Sequence, residues 1–451
     1  MKKSDISRRS FLGKASTVGA AGVIVPTVII GFKTETKRKG STGSQEGIFN
    51  VRAYQAIGDG ATDDTNAFQA ALDAAAAAGG GIVNVPSGQY RINGNIVIPG
   101  GVTLQGTFRV PPSDNNRDLN KKPFGSMLLA YAGRGKPEDK PFIRLAGNMS
   151  TLAGFIITYP EWKQSDVPPI PYPPAVLAEG GVVNVGVIDC CFVNTYEAIK
   201  LVAASRHLVR NVYGYPHWRG IYVDRCTDIG RIENCHIWPF GVRYDPNDAF
   251  CKWVNTNAVA FEFARTDWHY VLNTFCFGYG VGYKFSESKM GSCNGNFLGI
   301  GADCCERAVL VEQAQPYGLL ITNGEFVGRW TSKEAICIEI GEKVNSKISL
   351  TNCAFWGPIA RVIVQRGPKA QLTANACHFE NWDQVAIQVD EGKAILQGNT
   401  FMRKKLAIII GPNAKSAIIT SNQATDGLIV QNEAGERTQM GFNELPVMVD
   451  K

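Results

Sequence analysis

From Asp189 to Asn422 the chain keeps returning to one pattern: apolar alternation, then Asn or Asp, then an apolar or aromatic residue two or three positions on. The anchors are Asp189, Asn211, Asn234, Asn273, Asn296, Asn323, Asn352, Asn375, Asn399 and Asn422, separated by 22, 23, 39, 23, 27, 29, 23, 24 and 23 residues. A unit of near-constant length with occasional insertions is the mark of a coil stacked on itself. Stretches such as 348–352 and 395–399 alternate at the two-residue period of a strand. Strands this short cannot bury a face alone. Stacked on the next coil, they enclose alternate side chains in one long interior. Asn suits the fixed bend because it tolerates the left-handed conformation, and its amide can bond to copies above and below. A leucine-rich horseshoe would need a regular Leu spacing that is absent. The repeat predicts a β-helix.

Charge narrows the partners. The net charge is +6, but residues 1–40 alone carry +7, so the remainder is close to neutral at −1. The basic excess belongs to the amino terminus, which removes the electrostatic argument for a nucleic-acid partner. There Ser7-Arg8-Arg9-Ser10-Phe11-Leu12 precedes a mildly apolar run from Ala15 to Phe32. This segment resembles a twin-arginine export signal, which implies the twin-arginine export machinery as a partner and a periplasmic or extracellular location. The plainer alternative is an ordinary secretory signal or membrane anchor. No small-x-small cleavage site stands out after the run, so retention as an anchor stays open. Residues 34–46 read as a polar linker. The twelve cysteines include Cys235, Cys353 and Cys377 at similar places in successive units, where small apolar side chains fill a core. Buried thiols are expected, with one or two bridges at most, and no spacing suits zinc.

The first coils carry a second signature. Phe49-Asn50-Val51-Arg52-Ala53-Tyr54 and Gly58-Asp59-Gly60-Ala61-Thr62-Asp63-Asp64-Thr65 precede an Ala-rich helix over Asn66 to Ala78. Gly79-Gly80-Gly81 ends it, and Ile82 to Tyr90 reads strand then turn. This block, strongest over Phe49 to Thr107, resembles the pectate lyase superfamily domain of rhamnogalacturonase-like and epimerase-like proteins. The resemblance implies that the block forms the first coils and that its helix closes the open end. The expected fold class is therefore all-β: a single-stranded right-handed parallel β-helix with an N-terminal capping helix. The expected organisation is a signal segment (1–33), a linker (34–47), the β-helix (48–432) and a C-terminal tail or cap (433–451). Asp63, Asp64 and Thr65 are read as helix-capping rather than catalytic groups, since a helix start needs side-chain oxygens for its free N–H groups.

Three insertions interrupt the coils, at 108–141, 160–174 and 239–257, and loops leaving a rigid scaffold commonly carry binding. One strand per coil can also be aligned: Gly220 to Asp224, Ala258 to Glu262, Ala308 to Glu312, Ala335 to Glu339 and Ala386 to Asp390. The alignment buries Ile221 and Val223 and turns Tyr222 and Asp224 outward. It sets Asp224, Glu262, Glu312, Glu339 and Asp390 on one exterior line, with Ser286 interrupting it. On that reading Asp224 and Glu262 are neighbours beside the 239–257 insertion. Two carboxylates so close would differ in proton affinity, as an acid and a base or nucleophile must. They are the candidate catalytic pair. For Glu312, Glu339 and Asp390 a solvated acidic face is the better reading.

Around the pair lie the candidate substrate-binding residues Lys200, His217, Trp218, Arg219, Tyr222, Arg225, His236, Asp245, Asp248, Arg265, Asp267, Trp268, His269 and Lys284. Tryptophans can stack on sugar faces, and Arg and Lys can hold uronate carboxylates. The resemblance implies a carbohydrate-active enzyme acting on a polysaccharide, pectin-like and uronate-containing, in a groove on the side of the helix. Hydrolysis is slightly favoured over lyase chemistry, a uronate epimerase is the second enzymatic option, and a non-catalytic binding or surface protein is the competing class. No metal site or cofactor is expected, although a lyase could neutralise the uronate carboxylate with Arg or with a bound calcium ion. Nothing indicates an oligomer.

Overall fold

A computed structural model describes residues 44–45, 47–109 and 125–444, and the backbone of 448–450. The twin-arginine segment, nearly all of the linker and residues 110–124 of the first insertion lie outside the described residues.

Each coil contributes three short strands to three stacked parallel sheets. The coil carrying Arg231–Glu233 in the first sheet continues through His236–Ile237 in the second and Val259–Phe263 in the third. Each pairs in parallel with its counterpart one coil away: Ile232 with Val271, His236 with Phe275, Phe261 with Tyr283. The fold is the expected right-handed parallel β-helix. Interior positions stack like on like. Phe326, Phe355, Phe379 and Phe401 form a ladder with ring centroids 5.6, 5.0 and 4.8 Å apart. Offset stacking at this spacing follows from coils about 4.8 Å apart.

The bend between first and second sheets needs one left-handed residue. Asp189, Asn211, Asn234, Asn273, Asn323 and Asn352 supply it, with φ between 51° and 55°. Their side chains bond between coils as expected: Asn211 Nδ2 donates to Asp189 Oδ1 (2.7 Å) and Asn352 Nδ2 to Asn323 Oδ1 (2.8 Å). The other four anchors do not take the bend, which falls on Gly299, Ala376, Gly398 and Ser421. Asn399 and Asn422, each one residue later, turn inward. There they form a buried ladder in which Asn399 N and Nδ2 donate to Asn422 Oδ1 (2.9 and 3.0 Å).

Helix α1 (Thr65–Ala77) covers the open first coil, burying Phe68, Ala71, Leu72 and Ala75. It caps the barrel, but its own start is held differently from expectation. Asp64 makes no capping bond to the helix. Its buried carboxylate instead accepts from the N–H groups of Ile57 (2.6 Å) and Gly58 (3.0 Å), and Asp63 Oδ1 accepts from Thr65 N (3.1 Å). A second helix, α2 (Ala249–Asn257), occupies the third insertion. All twelve cysteines are free thiols, eleven of them buried, so the one or two expected bridges are not formed. Past Asn432 the stacking continues: Thr438–Gly441 pairs in parallel with 417–420, and Met448–Asp450 adds to the third sheet. The segment expected as a C-terminal tail or cap thus adds two strands to the stack. Among the described residues no helix is long and apolar enough to cross a membrane.

Candidate functional site

The third sheet is where the sequence features converge. Its strands Glu197–Val202, Arg219–Asp224, Val259–Phe263 and Val281–Phe285 lie side by side. The second and third insertions both enter at the amino-terminal ends of strands in this sheet and dock on each other. Gln164 Nε2 donates to the Arg243 carbonyl (2.8 Å), and Trp162 packs on His217 and Phe250 at 5.0 and 5.3 Å.

The register corrects the exterior line. Tyr222 pairs with Glu262, and Glu262 with Lys284, so Glu262 lies beside Tyr222 rather than beside Asp224. The supposed single line is two. One runs Lys200, Tyr222, Glu262, Lys284, Leu310 and Glu339; the other, two residues further along each strand, carries Asp224, Ser286, Glu312 and Asp390. A slip of two residues preserves which side chains face inward, so apolar alternation could not detect it. The carboxylates of Asp224 and Glu262 are therefore not the adjacent pair that the alignment implied.

Glu262 is engaged on both sides. Arg219 Nη1 donates to its Oε2 (3.2 Å), and Lys284 Nζ lies 3.9 Å from its Oε1 and 3.1 Å from Glu312. Arg219 also binds Glu197, through Nε (2.8 Å) and Nη2 (2.6 Å), while its guanidinium covers the rings of Trp218 (4.4 Å) and Tyr222 (4.1 Å). Trp218 in turn stacks on Tyr196 at 5.3 Å. Glu197 was absent from the sequence-derived set, yet it is buried here, and burial pushes its carboxyl up against the opposing pull of Arg219. Its signal was present: Glu197-Ala198-Ile199-Lys200 aligns with Arg219-Gly220-Ile221-Tyr222, which puts a carboxylate beside a guanidinium.

Tyr222 is half-buried. Burial first, and the neighbouring carboxylates of Asp224 and Glu262 after it, push its hydroxyl up to about 12, so it stays protonated at neutral pH. Lys200 is in register beside it and makes no ion pair among the described residues. At the far end of the strand, Asp224 Oδ1 accepts from the N–H groups of Arg225 (2.9 Å) and Arg265 (3.1 Å). Its Oδ2 has no hydrogen-bond partner among the described residues. Arg225 is exposed and left-handed, with φ 55°.

Past these strands the chain turns from third to first sheet. A groove of about 770 Å³ opens there, lined by Thr227, Arg265, Asp267, Trp268, Asn294, Gln315 and Tyr317. Three of these, Arg265, Asp267 and Trp268, were expected; Thr227 was not, nor were Asn294, Gln315 and Tyr317, which come from later coils without a motif of their own. Arg265 forms a two-pronged pair with Asp267 (2.5 and 2.8 Å), and Gln315 Nε2 donates to the same carboxylate (2.9 Å). Burial acts to raise Asp267, but these bonds outweigh it and hold the group below the usual carboxylate range.

Five expected residues leave the site. His269 is fully buried inside the coil, its Nε2 3.0 Å from Nε2 of His207. Because His207 Nδ1 lies 2.8 Å from the Ala204 carbonyl, that nitrogen carries the proton. His269 Nε2–H then donates to His207, and His269 Nδ1 remains without a partner. Burial lowers both rings, His207 to about 4. His217 is buried beneath Trp162 and Phe250, and burial lowers it to about 3. His236 lies on the second sheet among Trp238, Phe240 and Phe275. Asp248 is the N-cap of α2, accepting from Phe250 N (3.0 Å) and Cys251 N (3.1 Å), and Asp245 holds a turn through Asn247 N (2.8 Å). An Asp or His reads alike in sequence whether it caps a helix, fills a core or meets a ligand. Among the described residues no three His, Cys, Asp or Glu side chains come together as a metal site.

Comparison with known proteins bears on this geometry. Residues 48–122 match the family described as Rhamnogalacturonase A/epimerase, pectate lyase-like. Over that stretch the first coils are similar to this family. Mannuronan C5-epimerase AlgE3 of Azotobacter vinelandii is 63% identical over 46 residues, which is 10% of this chain and 2% of that protein. Alginate lyase 7 of the same organism is 61% identical over 46 residues, 10% of this chain and 5% of that one. The match thus spans a small fraction of the length of both relatives. Over the β-helix as a whole, the A-module of Azotobacter vinelandii mannuronan C-5 epimerase AlgE6 superposes with a TM-score of 0.56 at 15% identity, covering 83% of this chain and 99% of that module. That likeness is one of fold.

Proposed function

We propose that this β-helix acts on a uronate-containing polysaccharide laid over the outer face of the third sheet, and that it moves the proton on the carbon beside the uronate carboxylate. One observation carries the reading: Lys200, a cation without an ion pair among the described residues, stands in register beside the protonated Tyr222, with Asp224 two residues on along the same face. In the proposed step Asp224 takes the carbon-bound proton, and the electron pair moves into the uronate carboxylate. Lys200 meets the charge that develops there. Tyr222 then gives its proton either to the same carbon from the opposite face, which inverts it, or to the departing glycosidic oxygen, which completes an elimination. Arg219, tied to Glu197 and Glu262 and lying over Tyr222, positions that tyrosine.

Hydrolysis, slightly favoured from sequence, loses ground because Glu262 is committed to Arg219 and Lys284. The matches to a mannuronan C5-epimerase and an alginate lyase, over a tenth of the chain each, support uronate proton chemistry without choosing between its two outcomes. The test is product analysis on mannuronan and polygalacturonate. Altered uronate stereochemistry or ultraviolet-absorbing unsaturated ends are the expected products. New reducing ends without either change would reject the proposal in favour of hydrolysis, and no change in either polymer would return the protein to the binding class.

A further inference from the structure

The groove beside Asp224 is built for something its own charges do not explain. Trp268 is 65% exposed and Tyr317 81% exposed, and both line it. Trp268 also holds a left-handed backbone at φ 51°, a conformation that costs a bulky residue energy and that its exposed ring does not repay by packing. The strain is fixed from the next coil, where Asn294 Oδ1 accepts from Trp268 N (2.9 Å). Beneath the rings the polar floor is knitted together. Asn294 Nδ2 donates to Gln315 Oε1 (2.8 Å), and Gln315 Nε2 donates to the Thr266 and Ser292 carbonyls (2.8 Å each). Arg265 is neutralised by Asp267, so the floor offers no free cation to a carboxylate. A rigid polar floor under exposed aromatic faces, in a volume suited to a small ligand, fits a ring with an apolar face and a hydroxylated edge.

We propose that this groove is a sugar-ring subsite: it takes one pyranose unit by stacking on Trp268 and Tyr317, one turn away from Tyr222 and Asp224. It recognises the ring face rather than the carboxylate. The inference deepens the reading above and rests on it only for the identity of the polymer. Contact between the two places is direct, since the Arg265 N–H donates to Asp224. A chain held in the groove is thereby presented to the reacting face, while Lys200 takes the charge of a neighbouring unit.

The test is calorimetric titration of the full chain with mannuronate oligomers of increasing length. Trp268→Gly and Tyr317→Ala should each weaken binding of the longer oligomers roughly tenfold, as loss of a stacked ring does. Trp268→Gly should also leave the melting temperature unchanged or raised, because it relieves the left-handed strain. Its share of the affinity should persist when salt is raised from about 0.05 to about 0.5 M, whereas the share lost in Lys200→Ala should shrink. Phe442→Ala, 95% exposed at the far end, is the control. Unchanged affinity in both aromatic variants would overturn the subsite, whatever the turnover. Failure of the catalytic reading looks different: no turnover by the wild-type chain, with Trp268-dependent binding intact.

Discussion

The coils from about Pro160 to Tyr317 and those from Leu319 onward share one interior and differ outside. In the later coils the exterior charges satisfy one another: Glu339 is gripped by Arg366 and by Arg307 of the coil before, and Arg361 meets Glu334 at 3.1 Å. Their core is a regular phenylalanine ladder. The earlier coils keep a cation without an ion pair at Lys200, a strained exposed Trp268, two docked insertions and a buried carboxylate at Glu197. A stacked coil is a scaffold wherever its outer groups pair off. It becomes a site where they are left unpaired or held in costly conformations, because such features persist only when the surroundings enforce them.

Substitutions should separate the two regions. Asp224→Asn and Tyr222→Phe are expected to lower kcat about 10²–10⁴-fold, the usual range for a lost proton-transfer group. Glu339→Gln, in the later coils, should leave steady-state rates within about twofold while touching stability only. Equal losses from both would erase the distinction. Conversely, Phe355→Ala should lower unfolding free energy by about 3–5 kcal/mol in denaturant titrations. Because neighbouring rungs depend on each other, the loss should appear as reduced cooperativity of the late coils, with KM unchanged in the folded fraction.

Acid should act first on the early coils. His207, His217 and His269 are neutral and buried, with folded pKa values pushed below the ordinary imidazole value of about 6.5. The unfolded chain then binds more protons than the folded one, so stability should fall as pH drops from about 6.5 towards the folded value of His207, about 4. Hydrogen exchange at acidic pH should show amides of 207–217 and 266–272 opening before those of 371–397; uniform opening would contradict this. The smallest effect is expected at α2, where Asp248→Ala removes the cap and about 1 kcal/mol of stability without altering the chemistry.

Much of the fold was legible because it is written in period. Alternation set Ile221 and Val223 inside and Tyr222 and Asp224 outside, and six of the ten Asn/Asp anchors marked the bends. Alternation is blind to a two-residue slip, which is why Glu262 was placed beside Asp224 instead of Tyr222. It is equally blind to a side chain's company. His269 fell on an inward position after the irregular turn at Trp268, and its partner His207 lies 62 residues earlier. Tyr317 and Gln315 join the groove only through stacking, from a coil whose own sequence has no functional mark.

The most direct measurement is proton exchange during turnover. Wild-type protein incubated with mannuronan in deuterium oxide is predicted to put solvent deuterium on the uronate carbon beside the carboxylate where that carbon is inverted, or to leave that carbon without its hydrogen, in the new double bond, where the chain is cut, both read by NMR. Glu339→Gln should do the same and Asp224→Asn should not. Products cleaved without deuterium at that carbon and without unsaturation, or exchange that survives in Asp224→Asn, would contradict the account.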